Sequence, residues 1–514
     1  MKVLNRPNAA SPIARWEWGA LAALMLAALV PRLFALGRLP AVFFHDECDN
    51  LVNVYQILNG NGPGVFGLDW KPQPALSIYL LSVFMRADMS VFALRLPAAL
   101  FSVAALLPVY LLARRAVGAV AALLTTWLLA TDVWYLHFSR SGWDNVYTCL
   151  FITGAALCVD DALRHGRLRS FIGAGVWSAL GLYGYAAGRA ILPATLIVML
   201  STMLRPHLPR RRLAVGALLT ATVALTLFAP QVPAIVSGWD HLQERPNYVY
   251  ILKDQSDRSI PEKVAIVAGN FGWKAAQLFA SELQVPPIHE QPDRYLRMEY
   301  GAFVRPTAVI LLVGLLLSLS RVATLAVTWQ WWVFLLVSFG MTEALTFGSL
   351  NGARGIIFVP ILYLFVGLAL DSVWRAAPHS YRPVAALLVA GSLAVSGWSL
   401  AQYFEWVQSP RFLTAIEPAI PVEEFPAWQS YVLDWTARSN RFFTVDMWKE
   451  HKRGLLPKAA NDQLDIDRCG ARNAVAARRD LRFAQYVPPD RPSSTATPPA
   501  EPSRPAGRAC RRPR

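Results

Sequence analysis

Charge is scarce in this chain. Only 16% of its 514 residues are Asp, Glu, Lys or Arg, while 54% are hydrophobic. That balance excludes an ordinary soluble globular domain and makes a polytopic membrane protein the default. Cysteine is scarcer still, limited to Cys48, Cys149, Cys158, Cys469 and Cys510. None is spaced as CxxC or with His, so the sequence implies no metal site. Cys149 and Cys158 fall inside an apolar run and read as packing residues. Cys469 and Cys510 can pair only if the C-terminal segment lies outside the cytoplasm. No repeat of solenoid period is present. Acids are outnumbered by bases, 34 to 49, for a net charge of +15. The excess sits in short clusters between apolar runs and in the tail, which is a topology signal rather than a nucleic-acid-binding face.

What the chain has in abundance is apolar length. Lys2, Arg6 and Arg15 precede a run from about 16 to 36 that is too long for a signal-peptide core, so it reads as a retained first span. Further spans are expected near 92–113, 117–135, 145–162, 170–187, 190–204, 213–236, 304–320, 325–348, 355–373 and 384–402, about eleven in all. With the N-terminus cytoplasmic, every inside segment carries basic residues: Arg114 and Arg115; Arg164, Arg167 and Arg169; Arg205 and Arg210 to Arg212; Arg321; Arg375 and Arg382. This satisfies the positive-inside rule. The loops 38–91 and 237–303 and the C-terminal segment then face outward. The first loop holds a short apolar stretch, Pro74 to Arg86, that reads as interfacial. The length of 237–303, with Pro286-Pro287, reads as a lid or acceptor platform. Residues 403–487 read as a small outer subdomain with scattered aromatics, and 488–514 as a disordered basic, Pro-rich tail.

In so apolar a chain, Phe43-Phe44-His45-Asp46-Glu47-Cys48-Asp49-Asn50 is conspicuous, with three carboxylates in four positions just after the first span. Lys71-Pro72-Gln73-Pro74 follows, and Arg95-Leu96-Pro97-Ala98-Ala99-Leu100 opens the second span. Ser139-Arg140-Ser141, Tyr183-Gly184-Tyr185-Ala186-Ala187-Gly188-Arg189, and Arg354 with Pro360 come later. In order, spacing and expected side these resemble the GT-C fold of polyprenyl-phosphate-sugar-dependent glycosyltransferases. The group resembled contains the protein O-mannosyltransferases and, in its bacterial branch, the lipid A aminoarabinose transferase. The resemblance covers about 16–402 and is strongest over 40–190. His45 and Cys48 depart from its pattern.

The resemblance implies an all-α polytopic inner-membrane enzyme with a transmembrane domain over 1–402 and its site at the periplasmic face. It would move one sugar, with inversion, from a polyprenyl-phosphate donor to a glycan, lipid or protein acceptor, without cofactor or metal. Transfer of this kind needs a carboxylate to take the acceptor's hydroxyl proton and cations to hold the departing phosphate. Asp46 is the expected base, with Glu47 assisting, and Asp144 accompanies them in the resembling group. Lys71, Arg95, Arg140, Arg189 and Arg354, all expected at the outer face, are the candidate phosphate ligands. Plainer roles stand beside these. Acids at 46–49 and at 144 also cap helices, Asp49 most simply so, and arginines at span ends snorkel to headgroups. Trp and Tyr at span ends read as belt residues, except Trp143, Tyr183 and Tyr185, which flank the cations. His137, His241 and His289 read as ordinary loop histidines. A transporter or flippase for a lipid-linked or anionic substrate is the rival reading, and a silent envelope scaffold a third.

Overall fold

The computed structural model describes residues 12–60, 62–69, 73–203, 210–244, 249–279, 302–320, 322–348, 350–376, 382–408, 419–421, 427 and 429. Lys71, His289, Cys469, Cys510, most of 403–487 and the whole tail lie outside the described residues. Lipid offers backbone amides and carbonyls no partners, so apolar runs satisfy themselves as helices. Among the described residues, Arg15–Leu33, Val91–Ala116, Asp144–His165, Arg210–Ser237, Gly352–Arg375 and Ala386–Trp406 are each long and apolar enough to cross a membrane. Shorter apolar helices lie at Ala119–Ala130, Ala186–Thr202 and Arg305–Leu319.

In chain order the helices are α1 (Arg15–Leu33), α2 (His45–Leu58), α3 (Leu76–Met85), α4 (Val91–Ala116), α5 (Ala119–Ala130) and α6 (Val133–Phe138). Then come α7 (Tyr147–His165), α8 (Leu168–Tyr183), α9 (Ile191–Thr202), α10 (Arg210–Phe228), α11 (Val232–Ser237), α12 (Trp239–Glu244) and α13 (Ile260–Gln277). The last are α14 (Arg305–Leu319), α15 (Val322–Phe339), α16 (Gly352–Gly355), α17 (Val359–Ala376) and α18 (Arg382–Trp406). Each expected span falls on helix, but two break where polar side chains intervene. The stretch 117–135 stops at Asp132, whose carboxylate accepts from the Tyr135 amide at 2.9 Å and restarts the chain as α6. The stretch 325–348 widens after α15 into a π turn, Gly340–Ala344, a form common at functional sites.

The core is built on α4, α7 and α17. Helix α4 packs on α5 and α7, α17 on α5 and α14, and α8 on α7 and α10. Helices α1 and α18 lie outside them with most of their apolar side chains uncovered, among them Leu26, Val30, Leu387 and Leu393, the surface that lipid covers. At one end of the bundle the arginines pair with acids. Arg114 meets Glu17 at 2.6 Å, Arg115 meets Asp160 at 2.7 Å, and Arg375 meets Asp371 at 2.6 Å. The acidic stretch lies at the other end, where α1 finishes and α4 begins.

A two-stranded sheet sits there. β1 (Val42–Phe44) runs antiparallel to β2 (Ala419–Pro421), with Val42 opposite Pro421 and Phe44 opposite Ala419. The strand that delivers the chain to Asp46 is thus paired with the far C-terminal region.

Candidate active site

The residues from His45 onward form a helix whose N-terminal dipole is complemented by two acids in its first turn, Asp46 and Glu47. The two neighbours have different surroundings. Glu47 is wholly buried and receives the Arg95 guanidinium edge-on, Nε to Oε1 at 2.9 Å and Nη2 to Oε2 at 3.2 Å. Arg95 also donates to the carbonyls of Leu36 at 3.3 Å, Pro40 at 3.0 Å and Val42 at 3.0 Å. Those five bonds match its five N–H groups, so Arg95 ties the α1–α2 connection to α4. Asp46 keeps 8% of its surface accessible.

Glu47 Oε1 accepts from the Gly142 amide at 2.5 Å, and Asn50, one helical turn on, donates to the Gly142 carbonyl at 2.9 Å. Both backbone groups of one residue are therefore held by one face of α2. Only glycine fits, since a Cβ there would come within 2.4 Å of Leu94 Cγ. The clasp brings Asp144, in a 3-10 turn (Asp144–Val146) two residues further on, to the same end as Asp46. The next side chain, Asn145, donates to the Ala353 carbonyl at 3.2 Å, and Trp134 donates to that of Gly352 at 2.8 Å. Arg354 is thereby drawn in on α16, which Asn351 caps by accepting from the Arg354 amide at 3.0 Å. Arg189 enters on another 3-10 turn, Ala186–Ala190, which packs on α16 and the π turn. Trp143 and Tyr185 fasten that turn to the Asp144 loop, edge to face at 5.4 Å.

Asp46, Glu47, Asp144, Arg189 and Arg354 therefore converge at one end of the bundle. Arg189 is exposed and Arg354 half-buried, with its Nη1 buried and without a hydrogen-bond partner among the described residues. Arg140 differs from the expectation of a phosphate ligand. It is fully buried, and its two terminal nitrogens donate to the carbonyls of Pro31, Arg32, Phe34 and Leu39. The first three lie where α1 ends and helix carbonyls lose their partners, the fourth in the connection that follows, and Arg95 is likewise engaged by carbonyls of that connection. Tyr183 also turns to the fold, donating to the Leu227 carbonyl at 2.9 Å. For Lys71, the flanking residues close on each other, the Asp69 amide donating to the Gln73 carbonyl at 2.8 Å. His137 is not a simple loop histidine. It lies buried beside Phe138, Tyr403 and Trp406, and burial, with Arg95 and Arg140 nearby, pulls its pKa down to about 3.

Two charges escaped the sequence reading. Lys274 and Glu343 are both fully buried and paired at 3.2 Å, and Glu343 also accepts from the Asn351 amide at 3.1 Å. A lysine in a mixed-charge loop and a single glutamate near the end of an apolar run carry no local signal of partnership. Their pairing becomes visible only when α13 docks.

No curated protein matches the chain. Residues 72–233 match the family model described as dolichyl-phosphate-mannose-protein mannosyltransferase. Among solved structures, the chain is similar to the S. cerevisiae protein O-mannosyltransferase Pmt1-Pmt2 complex bound to its sugar donor. That match has 16% identity and a TM-score of 0.38 over 47% of this chain and 36% of that one. It is also similar to the Archaeoglobus fulgidus oligosaccharyltransferase, with 15% identity and a TM-score of 0.49 over 80% of this chain and 57% of that one. A third is ArnT from Cupriavidus metallidurans bound to undecaprenyl phosphate, with 14% identity and a TM-score of 0.48 over 82% of this chain and 77% of that one. The chain thus spans about a third of the length of the yeast protein and just over half that of the archaeal one. Over residues 72–233, then, the chain is similar to the dolichyl-phosphate-mannose-protein mannosyltransferases, and its long apolar helices are those of a polytopic membrane protein.

Proposed function

We propose that this protein transfers one sugar from a polyprenyl-phosphate donor to a hydroxyl acceptor, at the periplasmic face of the inner membrane. The observation that carries the reading is the division of labour within the acidic pair. Glu47 is bound by Arg95 and Gly142 into the frame, while Asp46, beside it on the first turn of α2, keeps an accessible edge. In this reading Asp46 accepts the acceptor hydroxyl's proton as that oxygen bonds to the sugar's anomeric carbon. The bond from that carbon to the donor phosphate breaks from the opposite face, inverting the centre, and its electron pair leaves with the polyprenyl phosphate. The charge growing on the phosphate is met by Arg354 and Arg189, with Lys71 as a third ligand; guanidinium groups suit phosphate oxygens. Asp144 orients the acceptor. Arg95 and Arg140 act earlier in the hierarchy, as the supports that fix where α2 begins.

Replacing Asp46 by Asn keeps its size and removes its basicity. Sugar transfer is expected to fall about a hundredfold or more, while the detergent-solubilised protein still binds undecaprenyl phosphate. Mass spectrometry of envelope glycans and glycolipids in a deletion strain carrying either version reads the product. Undiminished product from the Asn variant would overturn the assignment.

A further inference from the structure

The long loop between α12 and α14 contributes one well-placed helix, and three of its polar side chains reach the same turn. Asn270, Lys274 and Gln277 recur at helical spacing on α13 and grip the turn that follows α15. Asn270 Nδ2 reaches the carbonyls of Glu343, Ala344 and Thr346 at 3.2, 2.8 and 3.0 Å. Lys274 Nζ donates to Glu343 Oε2, the Thr346 carbonyl and Thr346 Oγ1 at 3.2, 3.0 and 3.2 Å. Gln277 Oε1 accepts from the Leu350 amide at 2.7 Å. The loop adds backbone pairing, with the Ile251 amide on the Leu345 carbonyl at 3.0 Å and the Phe347 amide on that of Val249 at 2.9 Å. These carbonyls are the ones a helix leaves unsatisfied at its C-terminus, and an ammonium there complements the dipole. Nearer the start of α13, Ile260 and Val264 are 78% and 61% exposed.

The charges on this turn do not cancel. Glu343 is flanked by two cations, Lys274 in direct contact and Arg354 acting on its carboxylate through space. Asn351 joins them, since its amide is held by Glu343 and its side chain caps the Arg354 amide. Lys274, Glu343 and Arg354 sum to one positive charge. Lys274 neutralises Glu343, and the Arg354 guanidinium, with Nη1 unpartnered, is left with its charge available.

We infer that Lys274 and Glu343 are positioning residues that set how strongly Arg354 attracts the donor phosphate. Helix α13 supplies the countercharge that keeps Glu343 from drawing Arg354 into an internal ion pair. The inference rests on the reading of Arg354 as a phosphate ligand, and it makes charge, rather than packing, the quantity that matters.

The test is binding of undecaprenyl phosphate to the full chain in detergent, alongside thermal unfolding. Arg354→Gln should weaken binding about tenfold, the loss of one charge-assisted contact. Lys274→Met takes the local charge from +1 to zero and should weaken it by a similar factor. Glu343→Gln raises the local charge to +2 and keeps an acceptor for the Asn351 amide, so it should tighten binding about threefold. The double variant Lys274→Met, Glu343→Gln returns the charge to +1 and should bind within about twofold of the parent. If the pair is merely structural, Glu343→Gln and the double variant weaken binding along with stability, which overturns the inference even should Lys274→Met fail to fold. If Arg354→Gln binds normally, the phosphate reading of Arg354 falls first and takes the inference with it.

Discussion

At the scale of single residues, the five arginines and lysines expected to hold phosphate are chemically similar, and only their surroundings separate them. Arg95 and Arg140 are fully buried and engaged by carbonyls and, for Arg95, by Glu47. Replacing Arg95 by Ala would leave the Glu47 carboxylate buried without its ion pair, at a cost of about 3–5 kcal/mol. Adding Glu47→Gln should recover much of that loss, because an amide tolerates burial better than a lone charge. Thermal unfolding of both variants in detergent checks this, and equal stability of Arg95→Ala and the parent would show that Arg95 is not a fold residue. Asp46 and Glu47 were legible in the sequence as acids out of place in an apolar chain. Which of them faces inward was not, because the partner that decides it, Arg95, is 48 positions away.

At the scale of elements, the helices were legible because apolar length is local information; ~20 residues of it suffices to cross a bilayer. Their interruptions at Asp132 and Gly340 were not, since each depends on a contact made by tertiary packing or on a change of helical period. The joint between α2, α4 and the 139–144 loop belongs to this scale and turns on Gly142, hydrogen-bonded on both sides and pressed on Leu94. Gly142→Ala should destabilise the protein by about 1–3 kcal/mol through that overlap. Leu94→Ala in the same chain should relieve the clash, so the pair of changes costs less than their sum. A double-mutant cycle on unfolding midpoints gives the coupling directly, and strict additivity would contradict the contact.

At the scale of the whole molecule, one end of the bundle is occupied by matched ion pairs and the other by the convergent acids with Arg189 and Arg354. The basic residues Arg114, Arg115 and Arg375, grouped in the sequence as one side's clusters, lie at the ion-paired end. That grouping did not predict that residues near 420 complete the site's approach. Ile420 lies opposite Phe43 in the sheet, and no periodicity links segments so distant. Ile420→Pro removes a backbone donor from this short pairing. Trypsin should then cut faster after Arg38, an exposed residue just ahead of β1. Unchanged cleavage kinetics would mean that the sheet does not hold this connection.

That pairing also orders the protein's biogenesis. The chain leaves the ribosome N-terminus first, so Val42–Phe44 is made early and Ala419–Pro421 comes only after the last long apolar helix. Until then the strand leading into Asp46 has an open edge. A nascent chain stalled before residue 419 therefore carries all the expected site residues without the strand that pairs with their approach.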